Sequence, residues 1–163
     1  MRRRPVWFII AGLCVTLALA ACGDDDGDDL SAESRAAIDD IEEICDGWKK
    51  SLEARGEFPV DGFDPEDPKA DELRKVGAYF VTAQPIAAQA MTDIRAVQVP
   101  AEIKSSVDSL LAALDAEVAW AKVQTSAAEA GDIPAFKATL KDAASTNQTV
   151  EDAADQLGAE CSF

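Results

Sequence analysis

The sequence predicts an all-α fold, an antiparallel four-helix bundle with up-down-up-down topology. In four segments the apolar residues recur at spacings of three and four, which places them on one face of a helix, and no segment alternates as a strand does. The connections between the last three segments are short, and short connections favour antiparallel neighbours. We expect this domain to span residues 31–163, after a leader at 1–21 and an acidic segment at 22–30.

The first predicted helix runs from about Ser31 to Arg55. Ser31 is a favourable N-cap residue, and Gly56 is a favourable residue just past the C-terminus. Its apolar face follows a repeat of three and four positions and consists of Ile38, Ile41, Cys45, Trp48 and Leu52. This face predicts that Cys45 points into the core of the bundle.

The second predicted helix begins at Asp67–Pro68 and extends through Ile94. Pro85 lies in its middle, where a proline removes one backbone hydrogen bond and kinks a helix. The simplest interpretation is a kink that only shapes the bundle. The alternative is a kink that opens a pocket for a small molecule. The candidate residues for that pocket are Tyr79, Gln84, Met91, Trp120 and Asn147.

The third predicted helix runs from near Pro100 to about Ala130, and the fourth follows directly. Gly131 can end the third helix, Asp132 can cap the fourth, and Gly158 can end it. A turn this tight predicts that the two helices are neighbours in the bundle.

Two polar residues occupy nominal core positions of these helices. Glu117 lies at such a position in the third helix, and we expect its carboxylate to reach water at the edge of the apolar stripe. If it were buried instead, it would be a candidate acid or ligand contact. Asn147 lies on the apolar face of the fourth helix and is expected to be a buried polar residue that fixes helix register, with a ligand contact as the alternative.

The long first connection carries an apolar group among acids. Phe58, Pro59, Val60 and Phe63 are interspersed with carboxylates and are expected to form a flap over one end of the bundle. The alternatives are a lid over a cavity or a docking surface for a basic partner.

The composition excludes several classes of function. The chain has 163 residues, 31 of them acidic against 15 basic, so its formal charge is −16, and it has no histidine. Such acidity argues against a general nucleic-acid binder, and the lack of histidine excludes His-dependent triads and His-ligated zinc or iron sites. No nucleophile elbow or phosphate-binding glycine loop occurs. We therefore expect no catalytic residues, no metal site and no cofactor.

The leader ends in a short motif. A basic segment at Arg2–Arg4 precedes an apolar run at Val6–Ala20, and the segment closes with Leu19-Ala20-Ala21-Cys22. This motif resembles the lipobox of bacterial lipoproteins. The resemblance implies cleavage between Ala21 and Cys22. It also implies a diacylglyceryl group on the Cys22 sulfur, with further acylation such as palmitate. These lipids would anchor the protein at the extracytoplasmic face of the cell membrane. Export by the general secretory or the twin-arginine route stays open.

Processing at this motif would leave an acidic mature chain. Loss of residues 1–21 removes three arginines and no acid, so the formal charge becomes −19. The run Gly23–Leu30 contains five aspartates, which repel one another and predict an extended spacer. A weak calcium site is the alternative, although the run lacks the ligand spacing of an EF-hand.

The remaining cysteines predict a disulfide. Cys14 lies in the leader, and lipid would occupy Cys22, which leaves Cys45 and Cys161. An exported protein favours pairing, and Cys161 continues the apolar face of the fourth helix. Two buried thiols are the alternative.

The layout as a whole is similar to small helical lipoproteins of high-GC Gram-positive bacteria. The shared features are the lipobox, the acidic tether, Cys45 in the first helix, Ala130-Gly131-Asp132 followed by Phe136, and Gly158 shortly before Cys161. The resemblance implies architecture and location but no activity. We expect a monomeric interaction or scaffold domain that is anchored to the membrane and has a basic envelope protein as its partner. The alternative is a module that binds a small molecule.

Overall fold

All regular secondary structure in the described part of the protein is helical. The computed structural model describes residues 30–161, so the leader, Cys22 and nearly all of the acidic segment lie outside this range. The helices are α1 (Ala32–Glu53), α2 (Ala70–Val81), α3 (Gln84–Ala96), α4 (Lys104–Ala130) and α5 (Ile133–Leu157). The predicted all-α class is confirmed.

Helix α1 begins as predicted. The Ser31 hydroxyl accepts a hydrogen bond from the backbone N–H of Ser34, which satisfies one of the free donors of the first turn. The buried face includes four of the five predicted residues, and Leu52 is half-buried. The helix ends at Glu53, and Gly56 adopts a left-handed conformation in the loop that follows.

The predicted second helix is in fact two helices. Helix α2 ends at Val81, two residues follow, and α3 begins at Gln84. Pro85 lies in the first turn of α3, where its missing N–H breaks no intrahelical bond. The prediction of one kinked helix is therefore wrong: the proline begins a new helix instead of bending an existing one. The predicted start at Asp67–Pro68 is also early, because residues 67–69 are not helical and α2 begins at Ala70.

The predicted turn between the last two helices is confirmed. Gly131 ends α4 in a left-handed conformation with a φ of 67°, and the Asp132 side chain accepts a hydrogen bond from the N–H of Ala135. Gly158 ends α5 with a φ of 76°. Helix α4 begins at Lys104, later than the predicted Pro100, because residues 101–103 form a turn.

Two separate clusters of buried side chains form the interior. The main core joins α1 and α3 to the first half of α4 and the last third of α5, and it includes Ile41, Ile94, Leu110, Leu114 and Leu157. The second core joins the first loop, α2, the end of α4 and the start of α5, and it consists of Phe63, Leu73, Val76, Ala127, Ala128 and Phe136.

The predicted disulfide joins Cys45 to Cys161. Their Cα atoms are 5.3 Å apart, and both residues are buried in the main core. One residue before Cys161, the N–H of Glu160 donates to the Glu42 carboxylate across a 2.9 Å distance. The C-terminal segment is thus fixed to α1 by a covalent bond and a hydrogen bond.

Candidate functional site

The candidate site is a layer that lies between the two cores along the helices. In α2 to α5 every residue of the stretches 78–89, 115–124 and 140–149 is exposed or only half-buried. We call these three stretches the middle layer. Elsewhere in these helices, buried residues recur on each inward face, so the middle layer is where these helices bury their side chains least.

Contacts at both ends of the middle layer show that its three stretches lie at the same height along the helix axes. Gly77 touches the backbone of Ala128 and Glu129, and at the other end Ile94 and Leu111 line one groove. The stretch 78–89 therefore lies beside 115–124. Helix α5 joins them through Thr139, whose carbonyl accepts a hydrogen bond from the Trp120 indole N–H at 2.9 Å.

Glu117 is the half-buried carboxylic acid of this layer. Its side chain is half-buried, and its Oε2 atom is buried without a hydrogen-bond partner. Burial raises the pKa of the Glu117 carboxyl above its usual value, and no neighbouring charge is among the causes. The prediction that this carboxylate reaches water is wrong for Oε2. The burial of Oε2 favours the other interpretation, a candidate acid or ligand contact, which stays a hypothesis.

Half-buried alanines recur in the middle layer. They lie on α4, on α5, on α3 or just before α3: Ala83, Ala87, Ala121 and Ala143. An alanine contributes little volume and buries little apolar area, so this layer adds less to the core than the layers on either side of it.

Trp120 fixes one wall of the layer. It lies three positions after Glu117 on α4, and residues at this spacing are neighbours on a helix surface. Its indole N–H is bonded to Thr139, and Gln124 donates to the hydroxyl of the same residue at 3.4 Å. The indole is therefore held in a defined orientation about one turn along α4 from Glu117.

The structure separates the five predicted pocket residues. Gln84 and Trp120 are half-buried members of the middle layer, but Met91 is buried in the main core. Tyr79 contacts the first loop: its hydroxyl donates to the Gly56 carbonyl, and Arg55 lies 4.3 Å above its ring. Met91 and the exposed Asn147 are therefore not placed to line a pocket, and Gln84 and Trp120 are the predicted residues that we keep as candidates with Glu117.

Asn147 is exposed, so the prediction that it is buried on the face of α5 is wrong. The inward residue at this turn is Thr146, which is half-buried between Ala143 and the buried Val150. Steps of three and then four join Ala143, Thr146 and Val150, whereas a core position at Asn147 requires a step of four and then three. Both orders fit a helix of 3.6 residues per turn, which is why the sequence does not distinguish them.

The first loop covers the second core as predicted. Phe63 is 6% exposed and makes an edge-to-face contact with Phe136, with ring centroids 6.3 Å apart. Phe58 is 41% exposed, although its ring contacts Phe63, Tyr79 and Phe80. The apolar flap therefore has a buried member and a partly exposed one.

A surface groove between α3 and α4 is a weaker candidate. Its volume is about 200 Å³, and its floor is aliphatic. The charged residues of its rim already have partners: Arg95 pairs with Asp115 at 2.7 Å and Lys104 with Asp108 at 2.8 Å. Among the described residues that line this groove, no side chain has a buried polar atom without a hydrogen-bond partner.

Comparison with protein-family models, curated proteins and solved structures found no match to this chain. Within residues 30–161, no group of three metal-ligating side chains is close enough together to hold an ion. In the same range, no helix is both long and apolar enough to cross a membrane.

Proposed function

We propose that the protein is a lipid-anchored lipoprotein of the bacterial cell envelope whose helical domain binds a partner and catalyses no reaction. The observation that carries the proposal is the bond between Cys45 and Cys161, because structural disulfides are typical of exported proteins. The motif at Leu19–Cys22 supplies the anchor: cleavage after Ala21 and two or more acyl chains on Cys22 are enough for stable attachment.

The proposed topology of the domain is up-down-up-down, with α2 and α3 together as the second arm. The two residues between α4 and α5 support it, since so short a connection favours antiparallel neighbours. The contacts of Gly77 with Glu129 and of Trp120 with Thr139 support the same order.

The tether would enter the domain at the connection between α3 and α4. The Ser34 hydroxyl donates to the Glu102 carboxylate at 2.6 Å, and the Ser31 N–H approaches the same oxygen at 3.4 Å. The hydrogen bond from Ser34, followed by that from Ser31, lowers the pKa of Glu102, so this contact involves the ionised carboxylate. The first loop would then lie at the end away from the membrane.

The charge of the protein suggests its kind of partner. A mature charge of −19 favours cationic molecules and accelerates their approach. Phe58 is 41% exposed in a loop that carries five acids and no base between Gly56 and Pro68. We propose this loop as a docking surface for a basic envelope protein.

Metabolic labelling with palmitate tests the anchor. The wild-type protein should incorporate label and fractionate with membranes, and Cys22→Ala should do neither. Cys14→Ala is the matched control, because it changes a leader cysteine that the motif does not use. Label retained by Cys22→Ala would contradict the proposal.

A second candidate function is the binding of a small molecule in the middle layer. The Glu117 Oε2 atom favours this function, because it is buried without a hydrogen-bond partner. An unpaired buried oxygen destabilises the fold, and a bound ligand would supply the missing donor. Native mass spectrometry of the mature protein, extracted from membranes in nonionic detergent, should show an additional mass. That mass should be absent from Ala121→Leu, which fills the layer. A bare mass for the wild type would argue against this function.

A further inference from the structure

We propose that the middle layer binds a small organic cation, whose ammonium group lies between the Glu117 carboxylate and the indole ring of Trp120. This inference rests on the second candidate function and names its class of ligand.

The charge of the ligand follows from the state of Glu117. Its Oε2 atom is removed from water, yet the described residues provide it with no hydrogen-bond donor. A buried carboxylate needs donors and a counter-charge, and an ammonium group supplies both. A neutral or anionic ligand would leave the carboxylate uncompensated.

The aromatic wall favours the same kind of ligand. Trp120 lies one turn along α4 from Glu117, and its N–H is already bonded to Thr139. The indole can therefore contribute only its ring, and a tryptophan ring face attracts cations. A carboxylate and an indole one turn apart on α4 can thus bind the same ammonium group, the carboxylate by an ionic hydrogen bond and the indole by its ring face.

The size and chemistry of the layer favour an organic cation over a metal ion. The half-buried alanines of the middle layer on α3, α4 and α5 are short and apolar, which suits a hydrocarbon portion of the ligand. One carboxylate is a poor metal site, and no group of three metal ligands occurs in residues 30–161. Gln84 lies at the same level and adds one amide for a polar substituent.

Titration with phenethylammonium tests the proposal, with 2-phenylethanol as the uncharged probe of similar shape. The mature protein in nonionic detergent should bind phenethylammonium with a Kd of about 1 mM or tighter. It should bind 2-phenylethanol at least about tenfold more weakly, since the ionic hydrogen bond is then missing. Calorimetry measures both affinities.

Two variants separate the roles of the residues. Glu117→Gln should weaken phenethylammonium binding at least about tenfold and leave 2-phenylethanol unchanged. Trp120→Phe keeps an aromatic ring and should keep most of the affinity, whereas Trp120→Leu should lose it. Glu129→Gln, the same change at an exposed position of α4, is the control and should bind as the wild type does. Thermal melts establish that each variant is folded.

Three results would overturn the inference: no binding of phenethylammonium up to about 10 mM, equal affinity for both probes, or unchanged affinity in Glu117→Gln. An uncharged molecule found in the native mass spectrum would also overturn it, but would leave the second candidate function standing. The two proposals therefore fail in different experiments.

Discussion

Gly77 of α2 lies directly against the backbone of Glu129 in α4. A Cβ atom at position 77 would be 2.5 Å from the Glu129 nitrogen and 2.8 Å from the carbonyl carbon of Ala128. The obstacle is the backbone of a long helix, which cannot rotate away as a side chain can. The separation of α2 and α4 is thus set by the missing side chain of one residue.

We predict that Gly77→Ala destabilises the protein by about 1–3 kcal/mol, since the helices must separate to admit the methyl group. Gly47→Ala is the control, because Gly47 is an exposed residue of α1 with open space around its position. That change should stabilise the protein by about 0.5–1 kcal/mol through helix propensity. Urea unfolding of both variants gives the two free energies. Similar effects in both variants would contradict the close approach of α2 and α4.

The second prediction concerns the disulfide. Cys45 and Cys161 are 116 positions apart, so their bond closes most of the domain into one loop. The loss of unfolded-chain entropy gives an upper figure of about 4–5 kcal/mol for a loop of this length. This is a large share of a typical total stability of about 5–15 kcal/mol. Reduction should therefore lower the Tm by many degrees.

A melt followed by circular dichroism with and without reductant measures this shift. The variant Cys45→Ala/Cys161→Ala is the control, since it should melt near the reduced wild type and should not respond to reductant. Denatured mass confirms that reduction has added two hydrogens. An unchanged Tm after confirmed reduction would show that the packed helices alone stabilise the fold.

The third prediction is a pH dependence that originates at Glu117. Burial raises its pKa in the folded protein above the unfolded value of about 4.3, so the folded state binds this proton more tightly. The resulting contribution to stability is complete below the unfolded pKa and is lost as the pH rises through the folded pKa. At pH 7 the buried carboxylate therefore destabilises the fold.

Glu117→Gln carries no ionisable group there and should melt at a higher temperature than the wild type at pH 7. The difference between the two proteins should shrink as the pH falls towards the unfolded pKa. Other carboxylates contribute equally to both proteins, so the difference curve isolates Glu117. Glu129→Gln, the same change at an exposed position of α4, is the control for the substitution itself. A difference curve for Glu117→Gln that does not change with pH would place its carboxylate in water.

The parts of this structure that sequence predicts are those with a local physical signal. Ser31, Gly131, Asp132 and Gly158 mark helix ends because caps and left-handed turns require these residue types. Cys45 and Cys161 could be paired because few cysteines remain and both continue an apolar face.

The parts that sequence misses depend on packing between helices. Pro85 is compatible with a kink or with the first turn of a new helix, and only the tertiary structure decides. At Asn147 two helical registers differ by one residue, and the choice depends on the neighbouring helix. Glu117 stands out in the sequence because it occupies a nominal core position of α4. The burial of its Oε2 atom depends on how the helices pack, which the sequence does not show. The candidate site is therefore only partly visible in the sequence.

The last prediction compares two phenylalanines of the first loop. Phe63 is 6% exposed over the second core, so Phe63→Ala should cost about 3–5 kcal/mol through lost burial and the cavity that remains. Phe58 is 41% exposed, so Phe58→Ala should cost much less and leave the loop over the core. Urea unfolding measures both changes.

The comparison bears on function because it separates the stabilising residue of the flap from the one that a partner can reach. If Phe58→Ala leaves the stability nearly intact but weakens binding to a basic envelope protein, Phe58 acts in docking. A cost for Phe58→Ala as large as that for Phe63→Ala would mean that both rings serve the fold. The docking surface would then have to be sought elsewhere on this acidic domain.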